Sequence, residues 1–207
     1  MTNEFDERAS TWDDDPMKVK RAEDIASAIS REVPLSPGMR GFEYGCGTGL
    51  VSFALAERLG DITMADSSDG MLEVLSSKIA RYTALGGARG GRSMQPAKLD
   101  LSTEPLPAER YDVVYSAMTL HHIPDTAQIL RQFHGLLDDG GHLCIADLDA
   151  EDGSFHGLDV DVHHGFDRAT LGAQLQAAGF RDVRFDTALT MRRGERAYPV
   201  FLAVARR

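Results

Sequence analysis

The stretch Gly41-Phe42-Glu43-Tyr44-Gly45-Cys46-Gly47-Thr48-Gly49-Leu50 leaves the backbone few options. Phe42 and Tyr44 suit a buried strand, and Leu50-Val51-Ser52-Phe53-Ala54-Leu55-Ala56 continues with apolar residues at helical spacing. The alternate glycines between them permit a tight turn and let a ligand approach where a Cβ would obstruct it. Free N–H groups at the start of the next helix then face that ligand. A strand, a glycine turn and a helix in direct succession predict an α/β fold with a cofactor at the turn.

The spacing narrows the choice of cofactor. A dinucleotide fingerprint reads G-x-G-x-x-G and sets a pyrophosphate on the helix N-terminus. Here the pattern is Gly45-x-Gly47-x-Gly49, preceded by Glu43. A carboxylate beside the loop repels a pyrophosphate and attracts an ammonium or sulfonium group. The arrangement resembles the first motif of the class I S-adenosylmethionine-dependent methyltransferases. That resemblance implies that Tyr44, Gly45, Cys46, Gly47 and Gly49 wrap the methionine end of the cofactor, with Glu43 beside them.

Further residues carry the same resemblance. Asp61-Ile62-Thr63-Met64-Ala65-Asp66 reads as a short strand ending in a carboxylate, where the family binds the ribose hydroxyls. Ser67 or Ser68 then caps a helix, and Met71 in its first turn is expected against adenine. Lys98-Leu99-Asp100-Leu101 places an acid after the third strand, where the family contacts the adenine amino group. Ser116-Ala117-Met118-Thr119-Leu120-His121-His122-Ile123-Pro124-Asp125 is similar to the family's segment after the fourth strand, nearest to the branch containing quinone-biosynthesis C-methyltransferases. Ser116 and Ala117 accordingly join the expected cofactor contacts. The opening Phe5-Asp6-Glu7-Arg8-Ala9 with Trp12-Asp13 resembles the N-terminal lid of that branch, whose aromatic residues cover the cofactor.

Strands and helices alternate along the chain without internal repeats. Residues 17 to 31 are helical in pattern, and Pro34, Pro37 and Gly38 separate them from the first strand. Gly86 to Gly91 reads as a flexible link, followed by a third strand over residues 94 to 99 and a near-continuous apolar fourth over 111 to 118. Asp125 is placed to cap a helix with Gln128 in the reciprocal position, Gly140-Gly141 to end it, and His142 to Leu148 to form the fifth strand. Asp167 caps the last helix, and closing strands run near 183 to 189 and 197 to 204. The expected architecture is a Rossmann-like doubly wound sheet of seven strands, mostly parallel with the last antiparallel as the family resemblance implies. Residues 1 to 207 form one domain in this reading, with 1 to 33 as a helical lid.

Charge and composition limit the partners. Lys plus Arg is 22 and Asp plus Glu is 32, a net charge of −10. Nucleic-acid binders need a basic face to release counterions from phosphates, and a patch at Arg89, Arg92 and Lys98 is too small for that. Ser116-Ala117-Met118-Thr119 also departs from the Asn/Asp-Pro-Pro-Tyr motif of methyltransferases that act on base amino groups. No apolar run approaches the roughly 20 residues that span a bilayer. An acidic N-terminus without a secretion signal, and only Cys46 and Cys144, point to the cytosol. Oligomeric state is not legible.

His121 and His122 follow the fourth strand, at the mouth where open α/β sheets bind ligands. One of them could act as a base; alternatively one orients the following helix and the other packs under the cofactor. His156, His163 and His164 share a loop with Asp159, Asp161 and Asp167, and such groups can hold a transition metal. The spacing matches no recognised metal motif, so no metal is expected and the loop reads as an acidic rim or lid over the acceptor pocket. Asp147 and Asp149, at the strand end, are better placed. The resulting expectation is methyl transfer from S-adenosylmethionine to an O, N or C atom of a small neutral or cationic molecule. His121, His122, His164 or Asp147 would remove any proton. The rival readings are a cofactor-binding regulatory protein of the same fold and a nicotinamide-dependent oxidoreductase.

Overall fold

Alternating apolar runs become alternating elements in the computed structural model, which describes residues 4–87, 92–157 and 160–207. Arg89, the end of the 86–91 link and Asp159 lie outside the described residues. The chain opens with α1 (Glu4–Arg8), a 3-10 segment (Ala9–Asp14) and α2 (Pro16–Glu32). Asp15 caps α2 by accepting from the Met17 N–H at 2.9 Å, and Pro16 takes the first position, where its missing N–H costs nothing.

β1 (Gly41–Tyr44) then leads into α3 (Leu50–Leu55), β2 (Ile62–Asp66) into α4 (Asp69–Ala84), and β3 (Met94–Lys98) into β4 (Tyr111–Ala117). After a 3-10 turn at Leu120–His122 come α5 (Thr126–Leu136), β5 (Leu137–Leu148), α6 (Arg168–Ala177), β6 (Arg181–Arg193) and β7 (Arg196–Arg206). The sheet order is β3-β2-β1-β4-β5-β7-β6. β1 pairs in parallel with β2 and β4, β3 with β2, and β5 with β4, whereas β7 runs antiparallel to both β5 and β6.

This is the expected seven-stranded sheet, with order reversing between β1 and β4. At that switch the two crossovers leave in opposite directions and open a crevice at the carboxyl ends of the strands. Two apolar clusters cover the faces. One is built on Ile25, Ile29, Leu55, Met64 and Tyr115, the other on Phe42, Leu130, Phe133, Ile145 and Phe201. Pro96 sits in β3, an edge strand, where its missing N–H breaks no central ladder.

The boundaries differ from the sequence reading in three places. α5 ends at Leu136, and β5 starts at Leu137 instead of His142, because Leu137 pairs with Tyr111 before an irregularity resets the register to His142 opposite Val113. Asp125 does cap α5, accepting from the Gln128 N–H at 2.8 Å. The Gln128 side chain, however, donates to the Ser102 carbonyl instead of completing the reciprocal box. β6 runs on past its predicted end to Arg193, so its connection to β7 lies beyond the sheet's carboxyl edge.

Candidate active site

The crevice holds a cavity of about 720 Å³. Its floor is the glycine turn, where Gly45, Gly47 and Gly49 all adopt positive φ (69°, 53° and 82°). The three glycines serve different ends. A Cβ on Gly45 would strike the Thr119 side chain at 2.2 Å, and one on Gly49 would meet Leu75 at 2.7 Å. At Gly47 the nearest atom would be the Met71 sulfur at 3.8 Å, so this glycine faces open space. Gly45 and Gly47 line the cavity. Gly49 does not, and it serves helix packing instead of the ligand approach expected from sequence.

Three acids reach this end of the cavity. Asp66 accepts from the Gly47 N–H at 2.7 Å and from the Ser68 N–H at 2.9 Å, which fixes its carboxylate at the tip of β2. Asp100 lies beyond, accepting from the Ser102 N–H at 2.9 Å. Glu43 departs from expectation. It is fully enclosed, accepts from the N–H and hydroxyl of Ser52, and burial pushes its carboxyl up to about 8. Ser52 Oγ is in turn 2.7 Å from Tyr115 Oη. At neutral pH Glu43 is therefore mostly protonated, not the standing negative charge that the sequence suggested.

Other expected contacts divide the same way. Tyr44, Cys46, Ser67, Met71 and Ala117 line the cavity. Burial raises the Cys46 thiol well above its ordinary range, so it stays protonated. Leu101 and Ser116 do not line the cavity. The Leu101 N–H donates to Tyr44 Oη at 3.2 Å, and Ser116 Oγ donates to the Tyr44 carbonyl at 2.9 Å, so both fasten β1 to its neighbours. Leu99 occupies the wall instead of Leu101.

The N-terminal segment forms the roof. Phe5 and Trp12 line the cavity and meet edge to face at 6.1 Å, and Phe5 packs against His122 at 5.4 Å. Carboxylates latch this segment to the floor. Asp6 accepts from Ser68 Oγ at 2.5 Å and the Gly70 N–H at 2.9 Å, while Asp13 accepts from Thr48 Oγ1 and Lys78 Nζ, each at 2.5 Å.

Opposite the acids stands a group of imidazoles. His121 is 1% exposed and Asp147 0%. Asp147 Oδ1 lies 2.6 Å from His121 Nδ1, and Oδ2 accepts from the His121 N–H at 3.2 Å. A carboxylate can only accept, so Nδ1 carries a proton, and in the neutral ring Nε2 holds the lone pair. That Nε2 is buried and has no partner among the described residues. His122 and His156 stand beside it, and burial together with the neighbouring imidazoles lowers each to about 4. One ligand atom from each of these three histidines falls within a 4.8 Å spread, a set chemically able to accept a transition ion. The histidines named together from sequence are separated: His163 Nε2 bonds the Ile123 carbonyl at 3.0 Å, and His164, offered as a possible base, is exposed and outside the cavity.

The loop acids also turn elsewhere. Asp149 pairs with Arg168 at 2.7 Å, Asp152 with Arg196 at 3.0 Å, and Asp167 caps α6 through the Thr170 N–H at 2.8 Å. Three acids of this segment are thus committed to other partners, while Phe155, His156 and Val160 of the same loop line the cavity. The charged groups lining this side of the cavity are Arg8, Lys18, Arg21 and Arg193, none of which the sequence reading singled out. Met118, at the mouth of β4, has φ 56° and also lines the cavity, a strained conformation of the kind that gathers at functional sites.

Comparison with known proteins agrees with this geometry. A family model described as "Methyltransferase domain" matches residues 17–184. The ubiquinone biosynthesis O-methyltransferase of Marinobacter nauticus is 30% identical over 73% of this chain, which spans 63% of that relative's length. In the complex between the Haloferax volcanii Trm112 methyltransferase activator and a methyltransferase, the matching chain superposes with a TM-score of 0.78 at 18% identity, covering 100% of this chain and 98% of that one. Magnesium protoporphyrin IX methyltransferase of Synechocystis, solved with bound S-adenosylmethionine, gives 0.64 at 19% identity over 90% of this chain and 79% of its own.

Proposed function

The chain belongs to the methyltransferase-domain family, and from that premise we propose that it transfers a methyl group from S-adenosylmethionine to a small molecule. The cavity fits the cofactor on this chain's own chemistry. Asp66 presents a fixed bidentate acceptor to vicinal hydroxyls, the open face of Gly47 admits the methionine end, and Met71 and Asp100 border the adenine position. Phe5 and Trp12 close the roof and exclude water. S-adenosylmethionine supplies an activated methyl group on a positive sulfur. The remaining work for the protein is alignment, exclusion of solvent and removal of a proton.

The observation that carries this reading is His121, held from behind by Asp147, in the same cavity as the glycine turn. In this assignment His121 Nε2 takes the proton of the acceptor's nucleophilic atom, and Asp147 is a positioning residue that holds the ring and its tautomer. His122, neutral at physiological pH, packs under Phe5. Residues 4 to 14 act as the lid of one methyltransferase domain, in place of the expected 1 to 33, because α2 packs into the core through Ile25 and Ile29. The buried, unpaired Cys46 and Cys144 support a cytosolic setting, and no described helix is long and apolar enough to cross a membrane.

The test uses S-adenosylmethionine with a labelled methyl group and a metabolite extract. Label is expected in a small-molecule fraction, with Asp66→Ala weakening S-adenosylhomocysteine binding by about 1–3 kcal/mol. Asp147→Asn is expected to lower kcat about 10²–10⁴-fold while leaving cofactor affinity near wild type. Binding of NAD(H) without any heat from S-adenosylhomocysteine would refute the assignment.

A further inference from the structure

From the unpaired cations in the cavity we infer that the methyl acceptor carries a carboxylate, held by Arg21 of α2 and Arg193 at the end of β6. This rests on the methyl-transfer reading and reverses the neutral or cationic acceptor expected from sequence.

The chain has ten more acidic than basic residues, a net charge of −10, yet Arg8, Lys18, Arg21 and Arg193 gather in one cavity. Several basic side chains elsewhere find acids: Arg40 meets Asp138, Arg168 Asp149, Arg184 Glu32 and Arg196 Asp152. Among the described residues none of the four cavity cations has such a partner. Two of them are engaged another way, since Lys18 Nζ lies 3.6 Å from the Trp12 ring centroid and the Arg8 guanidinium 5.2 Å from it.

Arg21 and Arg193 remain. The hydrogen bond Arg21 makes goes to the sulfur of Met191 at 3.5 Å, a weak acceptor that leaves most of its five donors unused. Met191 is two residues before Arg193 on β6, so this contact brings the two guanidinium groups to the same wall. Arg193 donates to the Phe155 carbonyl, and its guanidinium carbon sits 3.9 Å from the centroid of the Phe155 ring, two contacts that hold the group in place. Arg21 is partly buried, where a cation without a counter-charge is costly, while Arg193 is exposed at the rim; the planar guanidinium of either matches a carboxylate through two parallel hydrogen bonds. The acids nearest by are committed: Asp147 to His121, and Asp15 to the cap of α2. A carboxylate brought by the acceptor completes the arrangement, and its far end then lies on the cavity side that holds His121.

Benzoate and benzamide, equal in shape and different in charge, test this without turnover. Titrated calorimetrically into protein saturated with S-adenosylhomocysteine, benzoate is expected to bind at least tenfold more tightly than benzamide. Arg21→Gln and Arg193→Gln, made separately, are each expected to reduce that ratio by threefold or more, with S-adenosylhomocysteine affinity within twofold of wild type. Equal affinities for the two probes, or a ratio that survives in both variants, would overturn the proposal. Failure of the methyl-transfer reading shows separately, as absence of heat from S-adenosylhomocysteine itself.

Discussion

Glu43 shows how much a single carboxyl depends on what surrounds it. Its position two residues before the first glycine of the turn invites a reading as a fixed negative charge, but Ser52 and Tyr115 enclose it and burial holds it near 8. A positively charged ligand favours the ionised form, so binding is expected to expel a proton. Affinity for S-adenosylmethionine then rises with pH through the window up to about 8 and levels off above it. Calorimetry in buffers of different ionisation enthalpy measures that proton, and Glu43→Gln is expected to flatten the profile. A wild-type affinity independent of pH would contradict the argument. By the same linkage the ligand-free fold loses stability as pH rises from 4.5, the ordinary carboxyl value, through about 8, because its raised carboxyl must then ionise. The sequence places Glu43, Asp66 and Asp100 at strand ends correctly, since strand periodicity and spacing carry that information. It cannot show that Ser52, nine residues later, turns back to receive Glu43.

Among the elements, the amino-terminal segment is latched to the rest by carboxylates. α1 and the 3-10 segment after it meet the floor through Asp6 and Asp13, which bind Ser68, Gly70, Thr48 and Lys78. Asp13→Ala removes the bonds to the turn and to α4. It is expected to weaken S-adenosylhomocysteine binding by about 1–2 kcal/mol, chiefly by speeding dissociation, as stopped-flow displacement would record. An unchanged off-rate would mean that the segment packs on the cavity without closing it. Aromatic residues in the first dozen positions made this element legible as a covering; the latches were not, because a surface aspartate looks alike whether paired or solvated. The α5–β5 boundary was misplaced for a related reason. Gly140-Gly141 looks like a helix stop, but Leu137 is claimed earlier by pairing with Tyr111.

For the molecule as a whole, the alternation of apolar runs was enough to give the sheet, its seven strands and, through the family resemblance, the reversed last strand. The cations of the acceptor side were invisible in the sequence. Arg8, Arg21 and Arg193 lie far apart along the chain and converge only because α2 and the closing hairpin meet over the crevice. β7 is flanked on both sides and buried along most of its length. Phe201→Ala, at a position with no exposure, is accordingly expected to cost about 3–5 kcal/mol. Its urea midpoint should fall in a single transition, read alike by circular dichroism and tyrosine fluorescence. Separate transitions by the two probes would show that the outer strands melt on their own.

The position of β7 also bears on the order of assembly. The ribosome delivers β6 before β7, yet β6 touches the parallel strands only through β7. Until the final segment emerges, the flank of β5 has no neighbour and β6 has no strand to pair with. A nascent chain stalled before residue 196 would therefore carry an open, apolar sheet edge, the condition under which chaperone capture or aggregation competes with maturation.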